Sequence, residues 1–230
     1  MNLGRILWVA GGYLVGTFPS TYLIARAKGA GGVLAAADRN RSEGDAHVLM
    51  RVHMGKGWGA LAATIDVVKG LVYVLVARRY GHVPNGWLAV VGVVLVTGYT
   101  FPFYAQAMAG RGLAASAGVL LALLPVPMII AGIIIVLGYV ARATGPATTL
   151  GFAAAPVAAW MQGQPGSLSL MAAGILGILL LRRLEGVSRA ASRWGWARAL
   201  WRRLAFDADP PSRSQPAAAP IEAGEQARSG

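Results

Sequence analysis

The chain contains no cysteine. Disulfides, thiolate nucleophiles and cysteine-ligated metals are therefore excluded. It has three histidines, His47, His53 and His82. None stands at the spacing of a metal site, so no metal centre is expected. Acidic residues are few, nine against 21 lysines and arginines. Charge of either sign is thin: 13% of residues are charged, 56% are hydrophobic, and the mean hydropathy is +0.54. A soluble domain carries about twice that charged fraction. From Gly57 to Leu181 the charged residues are Asp66, Lys69, Arg78, Arg79, Arg111 and Arg142 alone. Such long uncharged stretches predict an all-α polytopic membrane bundle, because each span of about 20 residues must bury its side chains in hydrocarbon. The excess of positive charge does not point to nucleic acid. Nine of the 21 basic residues follow Leu181, directly after an apolar run, where they set topology and touch anionic lipid.

Seven apolar segments can be drawn: Leu3–Ala25, Gly59–Ala77, Trp87–Ala107, Leu113–Leu124, Val126–Val140, Ala147–Met161 and Leu168–Leu181. The first is too long, and too polar from Tyr13 to Tyr22, for a cleavable signal, and is read as a retained span. With seven crossings, residues 26–56, the turn at Arg111, the turn at Arg142 and the basic tail share one side. The positive-inside rule places that side in the cytoplasm; Arg78 and Arg79 fall on the other side, as an exception. Three regions are expected: a membrane domain over 1–188, a basic Trp-rich juxtamembrane segment over 189–206, and a disordered Pro/Ala/Ser/Gly-rich tail over 207–230.

Several residues could carry chemistry. Asp66 and Lys69, three apart in an apolar run, share a helix face. They are either an internal ion pair that locks helix packing, or a ligand cation with its orienting carboxylate. Arg111 lies between Gly110 and Gly112. Glycine-flanked amides opening a helix make an anion site, and arginine adds bidentate phosphate recognition; the bland alternative is a turn with one topology-setting arginine. Pro19 breaks the first span beside Thr17, whose hydroxyl is either exposed to a substrate or bonded back to its own helix. The polar stretch 26–56 is either a solvated loop or a substrate lid.

In order along the chain come Gly16-Thr17-Phe18-Pro19 with Tyr22-Leu23-Ile24-Ala25-Arg26, then Gly59 with Asp66-Val67-Val68-Lys69-Gly70, then Gly98 to Gly118, then Arg182, Glu185, Val187 and Arg189. Over about Gly11 to Arg189 this series resembles the bacterial membrane glycerol-3-phosphate acyltransferases that use acyl phosphate as donor. Their patterns are G-S-x-P…Y-L-x-A-[RK], D-x-x-K-G, G-H-x-F-P-x(8)-G-G-K-G-x-A-T-x-x-G and R-H-R-E-N-I-x-R. Here Phe101, Pro102, Gly110, Gly112, Ala114 and Gly118 are identical to the third pattern, and Arg111 stands at its lysine. Thr17 replaces a serine, Tyr99 a histidine, Ala109 a glycine and Ala115 a threonine; Arg183 and Gly186 stand at the last pattern's histidine and asparagine.

The resemblance implies acyl transfer from acyl phosphate to glycerol 3-phosphate, giving lysophosphatidic acid, in the bacterial inner membrane. It implies no cofactor. It assigns Thr17, Arg26 and Lys69 to catalysis, and Gly110, Arg111, Gly112, Arg51 and Ser42 to the substrate phosphate. Asp66 and Glu185 would be supports. Expected partners are the two substrates and membrane lipids, not nucleic acid. An alternative stays open: a catalytically impaired relative that binds lipid or phosphate, or serves as a membrane partner. A transporter of an organic phosphate fits less well, because no internal repeat is visible.

Overall fold

The computed structural model describes residues 3–32, 50–51, 53–103, 110–184 and 195–197. Among them lie eight helices: α1 (Leu3–Thr17), α2 (Ser20–Ala27), α3 (Lys56–Arg79), α4 (Asn85–Thr100), α5 (Leu113–Leu123), α6 (Pro125–Val140), α7 (Thr144–Met161) and α8 (Gly166–Leu184). The first apolar segment is two helices. Pro19 has no N–H to continue the ladder, so α1 stops at Thr17 and α2 restarts at Ser20. The third segment ends at Thr100, not at Ala107 as the hydropathy suggested. Pro102 pushes Phe101 out of helical geometry, to φ −131° and ψ 66°. The sixth and seventh begin three and two residues earlier than expected; in α7, Pro146 is tolerated in the first turn, where its missing N–H has no intrahelical partner to lose, and Thr148 and Thr149 bond back to the carbonyls of Thr144 and Gly145.

Length sorts the helices. At 24 residues, α3 is about 36 Å long. Its first turns extend past α1 and carry α2 on a small core of Ala25, Met50 and Ala62, flanked by Ile24, Met54 and Trp58. Helix α5, at 11 residues, reaches only about 16 Å, about half of a hydrocarbon core. By length and composition, α3 and α8 can each cross a membrane.

Helix α4 is the hub, packed against α1 and α8, while α5 pairs with α3 and α6 pairs with α7. The central core is Leu88, Leu95 and Val96 of α4, Val119 and Leu120 of α5, and Met171 and Ile175 of α8. In lipid, helices gain little by hiding apolar surface, so close approach and dispersion hold them. The α3–α5 crossing depends on this. A Cβ on Gly118 would strike the Val67 carbonyl, and one on Gly70 would lie 2.9 Å from the Ala115 carbonyl. The outside is apolar: Leu7, Leu14, Val72, Ile129, Ile133, Val136, Leu137, Val157 and Leu170 are exposed. In water that girdle would aggregate; in hydrocarbon it is the matching surface.

The directions of α1 and α3 are opposed. Trp8 packs by Tyr73 and Gly81, whereas Phe18 meets Lys69. Short connections keep the alternation going. The ends at Thr17, Thr100, Leu113, Thr144 and Arg183 thereby come to one end of the bundle, with Arg79 and Asn85 at the other.

Candidate functional site

Asp66 is fully buried, and three helices converge on it. The Ser20 hydroxyl at the start of α2 donates to its Oδ1. Lys69 Nζ lies 2.7 Å from the same oxygen. The Tyr99 hydroxyl of α4 donates to Oδ2 at 3.0 Å. Lys69 also donates to the Phe18 carbonyl at 2.9 Å, at the Pro19 break, and its ammonium sits 4.7 Å from the Tyr99 ring centroid. A buried carboxylate is tolerable only with such a set of donors. Asp66 is the only carboxylate among the described residues. Its charge is matched by Lys69, so the arginines at this end of the bundle set its sign.

Tyr99 links this cluster to the glycine-flanked arginine. A Cβ on Gly110 would fall 2.5 Å from Tyr99 Cε1 and 2.6 Å from its hydroxyl oxygen, so only glycine lets the chain come this close to the ring. Lys69 is on the ring as well. Gly112 then takes φ 87°, a left-handed conformation that suits glycine, and N-caps α5. A Cβ there would come within 2.7 Å of Thr100 Oγ1. The start of the preceding stretch is pinned too: Tyr13 donates to the Phe101 carbonyl at 3.0 Å, and Arg182 lies over the Phe101 ring at 5.9 Å.

Arg111 borders a narrow crevice of about 30 Å³ between α5, α7 and α8. Arg183 borders it from the other side, and Thr148 and Thr149 contribute hydroxyls. Leu113, Phe152, Leu176, Leu179 and Leu180 form apolar walls. Arg183 Nη1 donates to Thr149 Oγ1 at 2.7 Å and to the Gly145 carbonyl at 3.1 Å, which fixes the guanidinium plane. Two guanidinium groups, the first amides of α5, which have no intrahelical partner, and the apolar walls together suit the anionic head of an amphiphile.

The sequence-derived candidates divide. Gly110, Arg111 and Gly112 are at the crevice. Lys69 does not line it: its amine is turned to Asp66, the Phe18 carbonyl and the Tyr99 ring. Thr17 donates to the Leu14 carbonyl at 2.7 Å, so its proton goes to its own helix. Arg26 and Arg51 are exposed and do not line the crevice. Ser42, Glu185 and the segments 198–206 and 207–230 lie outside the described residues.

Ser20, Thr149 and Arg183 were missed as site residues. Ser20 directly follows the helix-breaking proline, a position that turns a hydroxyl toward neighbouring helices. Thr149 was hidden in an apolar run. Arg183 was visible only as a replaced histidine.

Comparison with known proteins agrees with this architecture. A family model described as glycerol-3-phosphate acyltransferase matches residues 6–192. Glycerol-3-phosphate acyltransferase 4 of Dehalococcoides mccartyi strain CBDB1 is 30% identical over 91% of each chain. Glycerol-3-phosphate acyltransferase 5 of Dehalococcoides mccartyi strain 195 is 31% identical over 93% of each. The crystal structure of PlsY, an integral membrane glycerol 3-phosphate acyltransferase, in its glycerol 3-phosphate form superposes with a TM-score of 0.70 at 22% identity, covering 86% of this chain and 98% of that one. The chain therefore belongs to the glycerol-3-phosphate acyltransferase family, as a polytopic helical bundle of the membrane.

Proposed function

We propose that this acyltransferase holds the phosphate of glycerol 3-phosphate at the mouth of the crevice that Arg111 and Arg183 border, while acyl phosphate delivers its chain along the apolar surface beside it. The carrying observation is that two guanidinium groups from distant segments border one slot whose remaining walls are leucine and phenylalanine, with the hydroxyls of Thr148 and Thr149. Acyl phosphate is already activated. The primary hydroxyl oxygen bonds to the acyl carbonyl carbon, and the bond from that carbon to the phosphate oxygen breaks. The hydroxyl proton leaves on the departing inorganic phosphate. Lysophosphatidic acid remains in the bilayer.

In this reading, Arg111 and the first amides of α5 neutralise one phosphate, and Arg183 opposes charge building on the second. Tyr99, Asp66 and Lys69 act as positioning residues: they hold the surface on which Gly110 rests. Arg26 and Arg51, being exposed at the same end, draw anionic substrate toward it. The crevice end faces the cytoplasm of a bacterial inner membrane, on the positive-inside argument from Arg26, Arg111, Arg142 and the arginines after Leu181.

The test supplies palmitoyl phosphate and labelled glycerol 3-phosphate to the purified protein in detergent. Labelled lysophosphatidic acid is expected, and Arg111→Ala should lower kcat/KM by roughly 10- to 150-fold, the worth of about 1.5–3 kcal/mol for a charge-assisted contact. Absence of product with glycerol 3-phosphate still bound would favour a non-catalytic relative. An unchanged Arg111→Ala would remove the crevice from the reaction.

A further inference from the structure

A second arginine pair sits at the end of the bundle opposite the crevice. Helix α3 closes with Arg78 and Arg79, both exposed. Among the described residues neither makes a hydrogen bond or ion pair. Asp66, the one carboxylate there, is twelve residues away on the same helix, about 18 Å along its axis. Two adjacent guanidinium groups at a membrane boundary, with no protein anion beside them, are placed to meet lipid phosphate. They also run against the positive-inside rule if the crevice faces the cytoplasm.

Directly below them on the helix runs a lipid-facing stripe. Val72, Leu75, Val76 and Arg79 recur at helical spacing, so they share one face. Val72 and Leu75 are 46% and 41% exposed, in the span whose surroundings are hydrocarbon. These residues, with Arg78 and Tyr80, line a groove of about 630 Å³. Favourable interaction with the carbonyl end of α3 explains one cation in the last turn. It does not explain a groove that leads from branched aliphatic side chains up to two unmatched guanidinium groups.

We infer that this groove is a binding site for an anionic phospholipid. One acyl chain lies along Val72, Leu75 and Val76, and the phosphodiester is met by Arg78 and Arg79. Charge complementarity selects the occupant: guanidinium pairs recognise phosphate oxygens in bidentate fashion, and the apolar stripe requires a chain attached to that phosphate. The site is remote from the crevice, so it is a structural or regulatory lipid site, not a substrate site. It also accounts for the arginine exception to the topology rule.

The test is native mass spectrometry of the detergent-solubilised full chain titrated with phosphatidylglycerol or phosphatidylcholine of the same chain length. The wild type should prefer phosphatidylglycerol for its first bound lipid by roughly thirtyfold, about fivefold per arginine near a phosphate surface. Arg78→Gln with Arg79→Gln should abolish that preference and leave the acyltransferase rate unchanged. Val72→Trp, with both arginines intact, should remove one bound phosphatidylglycerol per chain by filling the groove. Equal affinity of the wild type for both lipids overturns the inference. So does a preference that survives the double substitution, since it would belong to other basic residues. A Val72→Trp variant that keeps its lipid but changes oligomeric state overturns it as well, in favour of a second copy on that face. Equal wild-type affinity overturns the inference whether or not a variant folds, and Val72→Trp and the double substitution test the groove by independent changes.

Discussion

Removing the charge of Asp66 should destabilise the bundle more than removing Asp66 and Lys69 together would suggest from the single changes. Asp66 is completely buried, and the Lys69 side chain is 11% exposed, with 2.7 Å between the charged atoms. In Asp66→Asn, the ammonium keeps the Phe18 carbonyl and the Tyr99 ring but loses its counter-charge. Stranding one member of a buried pair costs about 3–5 kcal/mol. Lys69→Met strands the carboxylate instead, which retains the Ser20 and Tyr99 hydroxyls and should fall at the lower end, about 3 kcal/mol. The double variant has no unmatched charge, and a thioether side chain fills the slot of the amine. Its loss should stay near that of one single change, so the two sites couple by roughly 3–5 kcal/mol. For a chain of this size each kcal/mol moves the midpoint by about 2–4 °C, so Asp66→Asn should melt roughly 6–20 °C lower. Thermal unfolding in dodecylmaltoside, followed by intrinsic fluorescence on all four proteins, measures this. Single variants within about 2 °C of wild type, or a double variant whose loss equals the sum of the singles, would refute the account of a self-neutralised pair.

Other consequences are open to the same preparations. Gly118→Val places a side chain against the Val67 carbonyl, a backbone atom that cannot swing aside, and should cost about 1–3 kcal/mol; Gly132→Val, with nothing within 4 Å of its Cβ, should melt like wild type. Gly112→Ala forces a side chain into φ 87° and against Thr100 Oγ1. About 1–3 kcal/mol of local strain should appear as a lower kcat/KM for glycerol 3-phosphate, and an unchanged value would detach the α5 cap from the site. Thr149→Val removes the acceptor that orients Arg183 and should lower kcat/KM roughly tenfold, the worth of about 1.5 kcal/mol for a bond to a charged group. If Arg183→Leu alone lowers the rate while Thr149→Val does not, the guanidinium works without that support.

Much of the architecture was legible before any coordinates. Long uncharged runs, the Pro19 break and the glycine-flanked Arg111 are written in contiguous residues, and hydropathy, backbone chemistry and chain stiffness act over contiguous residues. That is why the membrane bundle, the broken first span and the position of the arginine loop could be read directly. Which polar groups meet is another matter. Ser20, Asp66 and Tyr99 are 46 and 33 residues apart, and Arg111 and Arg183 belong to segments with no local signal linking them. Their meetings depend on which face each helix turns inward, and that is set by glycine contacts such as Gly118 on Val67 and by the crossings around α4. Lys69 shows the division best. Composition marked it as a costly cation in a span that needed an anion. Only the packing of α2, α3 and α4 decided that Lys69 meets Asp66, the Phe18 carbonyl and the Tyr99 ring, and only that of α5, α7 and α8 brought Arg111 and Arg183 to one crevice, because short-range electrostatics follows distance in space and not along the chain.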